Sequence, residues 1–253
     1  GSNTFNISTR ASRRGDKWIL NGQKVFISGA KDADYGFLIA KTDIESPRAM
    51  SVFALDMKSP RITMNKMNIR AFADDDQYTV FFDNVEMPAD ALVGEEGRGA
   101  AIMFDGLNAE RFVVSTLALG AANLALKMSC EYVGQRKLFG DRLTGSYQAV
   151  QHPLAQLKAE LDAARLLLYY GVKKVDAGQE AGAEANMVKL LASQIATRMC
   201  DAAIQFHGGS GMDEDVGLLA LWRSVRALQI APLNNEMILN YIAQHVLNLP
   251  KSY

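Results

Sequence analysis

The stretch Ala203-Ile-Gln-Phe-His-Gly-Gly-Ser-Gly-Met212 closes a long run of helical period and then stops it. Glycine enters the left-handed region without a Cβ penalty, so glycines at 208, 209 and 211 read first as a helix end and a turn. Working backward from this stop, helical periodicity covers residues 181–207, 147–178 and 99–135; working forward, it covers 214–247. Gly178 and Gly182 punctuate the second and third runs. The segment Leu117-Ala-Leu-Gly-Ala-Ala-Asn-Leu-Ala-Leu126 mixes small and large apolar residues, as close helix packing requires. Four long helices with short links predict an up-and-down four-helix bundle over residues 95–253.

Upstream of that half the period changes. Lys24–Ser28, Tyr35–Ala40, Ser51–Leu55 and Tyr78–Phe82 are short, rich in aromatic or β-branched residues, and separated by polar turns. Trp18-Ile-Leu-Asn-Gly22 carries an Asn-Gly pair between extended runs, which predicts a hairpin turn at 21–22. Pro60 and Pro88 sit near strand ends, where a missing N–H does least harm. The fold class is therefore α+β: an antiparallel β-barrel-like domain over residues 1–94, then the helical bundle.

Composition narrows the functional classes. A chain of 253 residues that is 49% hydrophobic builds one large domain or two ordinary ones. Its net charge is −1 and its basic residues are dispersed, which gives no electrostatic footprint for nucleic acid. No apolar run is expected to span a bilayer, and no targeting segment is visible. Cys130 and Cys200 stand apart in helical, apolar contexts and read as buried free thiols, in keeping with a reducing compartment. The histidines at 152, 207 and 245 lack metal-ligand spacing, so no metal site is expected.

Several motifs, in order, resemble the acyl-CoA dehydrogenase family over essentially the whole chain. Gly15-Asp-Lys-Trp-Ile-Leu-Asn-Gly-Gln-Lys24 is similar to that family's Gly-x-x-Trp/Tyr-x-Ile/Leu-Asn-Gly-x-Lys, and Phe26-Ile-Ser28 to its Trp-Ile-Thr/Ser. Asp83-Asn-Val-Glu-Met-Pro88, Leu92-Val-Gly94 and Gly97-Arg-Gly99 resemble the exit from its middle β-domain. Arg136-Lys-Leu-Phe-Gly140, Tyr147-Gln148, the 203–212 stretch and Asn234-Asn-Glu236 resemble its flavin-binding parts. The family normally begins with a further helical domain and the first β-strand. Gly1-Ser-Asn-Thr4 resembles the segment just after that strand, so the chain reads as a fragment, a cleaved product, or a protein completed elsewhere.

The resemblance implies a chemistry. Dehydrogenation between Cα and Cβ of an acyl-CoA thioester removes a proton and a hydride; the hydride needs a flavin, here FAD, because no side chain accepts it. Phe26 and Ser28 match positions flanking the flavin ring, the first by stacking and the second by a hydrogen bond; a strand with one buried face would give the same pattern. Arg136 matches an arginine on the pyrophosphate of a neighbouring subunit's flavin, a role its planar fork suits. Phe139 matches a position near the adenine, and Gln148, Gln205, Gly208 and Gly209 match further contacts to that neighbouring flavin. Asn234, Asn235 and Glu236 match a Thr-Ser-Glu/Gln segment touching the flavin of the same subunit; a helix N-cap at Asn234 or Asn235 is the plainer reading.

For the base, most members of the family place a Glu in a Tyr-Glu-Gly-Thr motif before the last helix. Here Ala231-Pro-Leu-Asn234 occupies that stretch and Pro232 stands at the Glu position. Isovaleryl-CoA and long-chain types instead carry the Glu on the first long helix, before an Arg. Gly106-Leu-Asn-Ala-Glu-Arg-Phe112 resembles that pattern, which makes Glu110 the catalytic base and Arg111 a substrate-binding residue; a surface Glu and a structural ion pair are the bland alternatives. Pro232 also lacks the N–H that would help bind the thioester oxygen, so Ala231 or Leu233 would have to donate instead. Loss of such a donor costs about 3 kcal/mol.

The resemblance further implies a homotetramer, electron-transfer flavoprotein as acceptor, a role in fatty acid metabolism, and residence in bacterial cytoplasm or mitochondrial matrix. Two rival readings stand beside it. One is an acyl-CoA oxidase or related flavin enzyme of the same fold. The other is a non-catalytic assembly module that keeps the bundle without acyl-CoA activity.

Overall fold

The computed structural model describes residues 2–42, 49–71 and 76–252. Two compact units are present, Gly1–Leu107 and Asn108–Tyr253.

The first unit is a seven-stranded sheet in the order β5-β6-β2-β1-β3-β4-β7. Its strands are β1 (Arg10–Arg14), β2 (Lys17–Ser28), β3 (Tyr35–Lys41), β4 (Met50–Asp56), β5 (Ile62–Lys66), β6 (Gln77–Pro88) and β7 (Leu92–Val93). Strand pairing is antiparallel save a parallel bridge between Arg10 of β1 and Lys41 of β3; a further isolated parallel bridge joins Met50 of β4 to Arg98. Alternating residues turn inward to form one core, in which the Trp18 and Phe53 rings meet edge-on at 5.3 Å.

The expected hairpin at Asn21-Gly22 is absent: both residues lie inside the continuous strand β2, and the chain reverses instead between Arg14 and Lys17. Gly22 serves close approach rather than a turn. A Cβ there would lie 2.8 Å from the Thr9 Cα, and the backbone sits at φ +130° beside a register shift against β6. Asn21 is used across the sheet, its Oδ1 accepting the Asn84 N–H at 2.9 Å. Gly22→Ala is therefore expected to destabilise the β unit by about 1–3 kcal/mol, read as a lower denaturant midpoint at unchanged slope.

The second unit holds the helices α1 (Gly99–Val133, entering from the first unit), α2 (Gln148–Asp176), α3 (Gly182–His207), α4 (Leu218–Ala227) and α5 (Asn235–Tyr241), with Ile242–Val246 continuing as a π-helical turn. A hairpin of β8 (Lys137–Leu138) and β9 (Arg142–Leu143) links α1 to α2. Buried residues of α2 at 154, 157, 161, 164, 168 and 171 follow alternating steps of three and four, the seam of one helix against its neighbours. At its end Gly171 admits both the Phe112 ring and Glu184, because a Cβ there would lie 2.5 Å from the ring. Helix α3 is buried on most sides and packs on both α2 and α4.

Three expectations need correction. The predicted fourth helix over 214–247 is divided into α4 and α5 by the turn around Pro232, a residue that cannot continue a helix ladder. Cys130 is exposed on α1; Cys200 alone is buried, and burial pushes its thiol up to about 12. Among the described residues, α1 is long and apolar enough by length and composition to cross a membrane, with an 18-residue window of mean hydropathy 1.4. Its residues 111, 112, 115, 118, 119, 122, 125, 129 and 133 nonetheless form a buried stripe at helical spacing.

Candidate active site

Helix connectivity sorts the candidate residues of the helical unit into two groups at opposite ends. At one end α1 stops, α2 starts and α3 stops. Tyr132 stacks on His207 at 4.3 Å, tying the ends of α1 and α3 together. The Arg136 carbonyl accepts both the Thr144 N–H at 2.7 Å and its hydroxyl at 2.9 Å, closing the hairpin that leads into α2. Arg136, Phe139, Gln148, Gln205, Gly208 and Gly209 are all exposed there. Phe139 is 92% exposed at φ +50°, an apolar ring held outward at the hairpin tip. Arg136 forms no ion pair among the described residues. A Cβ built on Gly208 or Gly209 would meet no atom within 4 Å, so the backbone is open to a ligand's approach. A free guanidinium, an outward aromatic and open glycines fit an extended anionic cofactor with an aromatic base.

The other end gathers Glu110, Arg111 and the turn before α5. From residue 110 to residue 133, α1 spans about 35 Å at its rise of roughly 1.5 Å per residue. Lys174 Nζ meets Glu184 Oε1 at 2.8 Å, joining the end of α2 to the start of α3. A Cβ on Gly182 would lie 2.8 Å from the Tyr241 hydroxyl and 3.9 Å from Asn108 Nδ2, which brings α1, α3 and α5 together.

Glu110 and Arg111 part company in this setting. Arg111 lies on the buried stripe of α1, donating from Nη1 to Asn108 Oδ1 at 2.6 Å; its buried Nε has no partner among the described residues. Glu110 is exposed on the helix surface, and neither it nor Arg111 joins an ion pair among the described residues. Partial desolvation raises the Glu110 carboxyl above the ordinary carboxylate range, with the Arg111 charge pulling the other way. An orphaned guanidinium N–H beside an unpaired, upshifted carboxyl is chemistry waiting for a polar ligand.

The N-cap reading of Asn234 is met: its Oδ1 accepts the Met237 N–H at 2.9 Å. Asn235 is buried, and its carboxamide is engaged with Lys189 at 3.0 Å and Ser193 at 3.1 Å, while Glu236 is exposed. Lys189, fully buried, and Asn108 join these candidates although no sequence motif marks them as site residues. Lys189 lies four residues after buried Ala185 and three before buried Ala192, a spacing that puts it on the core face of α3.

In the β unit, Phe26 is 62% exposed at φ +59°, where the register of β2 against β6 slips. A non-glycine residue held in that region, with its ring outward, fits a stacking surface. Ser28 is exposed, and its Oγ accepts from Gln77 Nε2 at 2.7 Å. A cavity of about 230 Å³ opens beside it, lined by Lys24, Tyr35, Phe37 and Met57 among others.

The sheet unit thus presents an outward aromatic, and the helical unit an exposed guanidinium with open glycines at one end and an unpaired carboxyl at the other. The chain belongs to the acyl-CoA dehydrogenase family: residues 97–247 match its C-terminal domain and residues 1–85 its middle domain. It is 36% identical to acyl-CoA dehydrogenase FadE12 of Mycobacterium tuberculosis over 257 residues, covering 100% of this chain and 66% of that protein. Among solved structures, an acyl-CoA dehydrogenase from Geobacillus kaustophilus matches with a TM-score of 0.93 at 32% identity, over 97% of this chain and 66% of that one. The FAD complex of PigA matches with a TM-score of 0.92 at 29% identity, over 97% and 64%. The chain thus spans about two thirds of the length of these relatives.

Proposed function

We propose that the protein acts as an FAD-dependent acyl-CoA dehydrogenase with Glu110 as the base. The observation that carries this reading is the Glu110–Arg111 arrangement: an exposed, unpaired carboxyl raised by partial desolvation, next to a buried guanidinium with an unused N–H. Glu110 in its carboxylate form takes the α-proton of the thioester. When bound, the flavin supplies the acceptor for the hydride leaving Cβ, so the acyl chain loses two electrons and two hydrogens and becomes the 2-enoyl thioester. Arg111 binds and orients the polar thioester and CoA region near Glu110.

Phe26 and Ser28 are assigned to the flavin ring, and Asn234 and Glu236 to the flavin of the same subunit; Asn235 serves that edge indirectly by fixing the turn. Arg136, Phe139, Gln148, Gln205, Gly208 and Gly209 are assigned to a neighbouring subunit's flavin. Their distance along α1 from Glu110 supports this division, because one helical unit presents the two groups at opposite ends. The assembly is then a homotetramer, and electrons pass on to an electron-transfer flavoprotein. In the test, the purified protein carries flavin absorbance, and flavin reduced by an acyl-CoA reoxidises slowly in air and rapidly with electron-transfer flavoprotein. Rapid reoxidation by air makes it an oxidase; absence of flavin from the full-length gene product makes it an assembly module.

A further inference from the structure

The turn between α4 and α5 is clamped at its base. Gln229 Nε2 donates to Thr197 Oγ1 at 2.9 Å, and the Asn235 N–H donates to the Gln229 carbonyl at 3.0 Å. Between these anchors the fully buried Lys189 reaches across from α3. Its Nζ donates to the Leu233 carbonyl at 2.6 Å and to Asn235 Oδ1 at 3.0 Å. No carboxylate lies within ion-pair distance of Lys189 among the described residues, so its visible partners are the turn's own neutral acceptors. Burying an ammonium on such acceptors is costly, and an apolar residue would fill the space more cheaply.

Donor availability within the turn is uneven. Pro232 has no N–H. The Ala231 N–H is spent on the Ala227 carbonyl at 2.9 Å. The Leu233 N–H donates to no described residue, and Leu233 is only half-buried. Of the two residues flanking Pro232, only Leu233 thus has a donor to offer, and its carbonyl is the atom that Lys189 holds. Burial most of all disfavours the Lys189 charge; Arg111, at the same end of the unit, adds to that, and the Glu236 carboxylate acts against it.

We propose that the Leu233 N–H is the backbone donor to the thioester carbonyl oxygen, and that Lys189 is the positioning residue that aims it. This rests on the dehydrogenase reading above. Displacing the donor from position 232 to 233 lets a chain with proline at 232 keep a fixed dipole where negative charge develops. Lys189 does not touch the substrate; it acts through the turn.

The tether has a test that needs neither a variant nor turnover. Burial lowers the Lys189 pKa to about 8, so in protein labelled at Leu233 the carbonyl ¹³C shift should titrate with a midpoint near that value. A carbonyl shift that stays flat from about pH 6.5 to 9.5 overturns the tether. For the donor role, flavin-loaded protein is mixed with a 2-enoyl-CoA. Exchange of the Leu233 N–H should slow about tenfold or more on binding. Lys189→Met should abolish that protection and lower kcat about 10- to 100-fold, with KM changed less than about twofold. Binding of the enoyl-CoA without protection of Leu233 overturns the donor role alone. No binding of any acyl-CoA by the wild type contradicts the dehydrogenase reading instead.

Discussion

Glu110→Gln is expected to bind acyl-CoA like the wild type and to slow anaerobic flavin reduction by about 10²- to 10⁴-fold. Glutamine keeps the shape and the hydrogen-bonding reach but has no basic oxygen. Glu110 has no ion-pair partner among the described residues, so the substitution strands no buried charge and stability should hardly change. Pro232 leaves no carboxylate at the alternative base position to substitute. The pH dependence has a definite sign. The Glu110 pKa is raised above 4.5 by desolvation, so the inactive acid persists to higher pH than in an ordinary carboxyl. Wild-type reduction should therefore fall as pH drops through that raised value. Arg111→Met, by removing the cation that favours the carboxylate, should move the midpoint further up. A mutant that reduces at the wild-type rate, or a midpoint below 4.5, would place the base elsewhere.

Arg136→Ala should lose flavin. A charge-assisted bond to a phosphate oxygen is worth about 1.5–3 kcal/mol, so cofactor retention should weaken roughly 10- to 100-fold. The exposed guanidinium makes no ion pair within the described chain, which leaves the fold little to lose by its removal. Because the Arg136 group and the Glu110 group lie at opposite ends of α1, cofactor binding should also depend on assembly. Dilution to monomers should release flavin from the wild type, as mass action requires when the site is shared. Equal flavin stoichiometry in mutant, wild type and monomer would contradict a site completed by a second copy.

The broad fold was legible because its signal is periodic. Short runs rich in aromatic and β-branched residues, such as Tyr35–Ala40 and Ser51–Leu55, against three- and four-residue steps from Gly99 onward, separate sheet from helices without any tertiary knowledge. What failed depended on partners distant in sequence. Asn21-Gly22 has ideal turn chemistry, yet Thr9 and Asn84 use it inside a strand. The short strands β1 and β5, Arg-rich and Met/Lys-containing, earn their place by pairing with β2 and β6 rather than by propensity. Apolar residues on both sides of the Pro232 turn carried the helical period across the break between α4 and α5. At the candidate site, the residue types of Glu110, Arg111 and Arg136 announced themselves through motifs. Lys189 carries no motif, and a lone lysine in an apolar helix reads as an exposed residue until the Leu233 carbonyl is seen to lie over it.

The proposed function requires that this chain's residues remove a proton from an acyl-CoA while a bound flavin takes the hydride. Anaerobic mixing of flavin-loaded protein with a saturated acyl-CoA tests it most directly, by following oxidised-flavin absorbance and quantifying the thioester product. Bleaching is expected, with one equivalent of 2-enoyl-CoA formed per flavin. Protein that binds the acyl-CoA yet keeps its flavin oxidised and yields no enoyl thioester would contradict it.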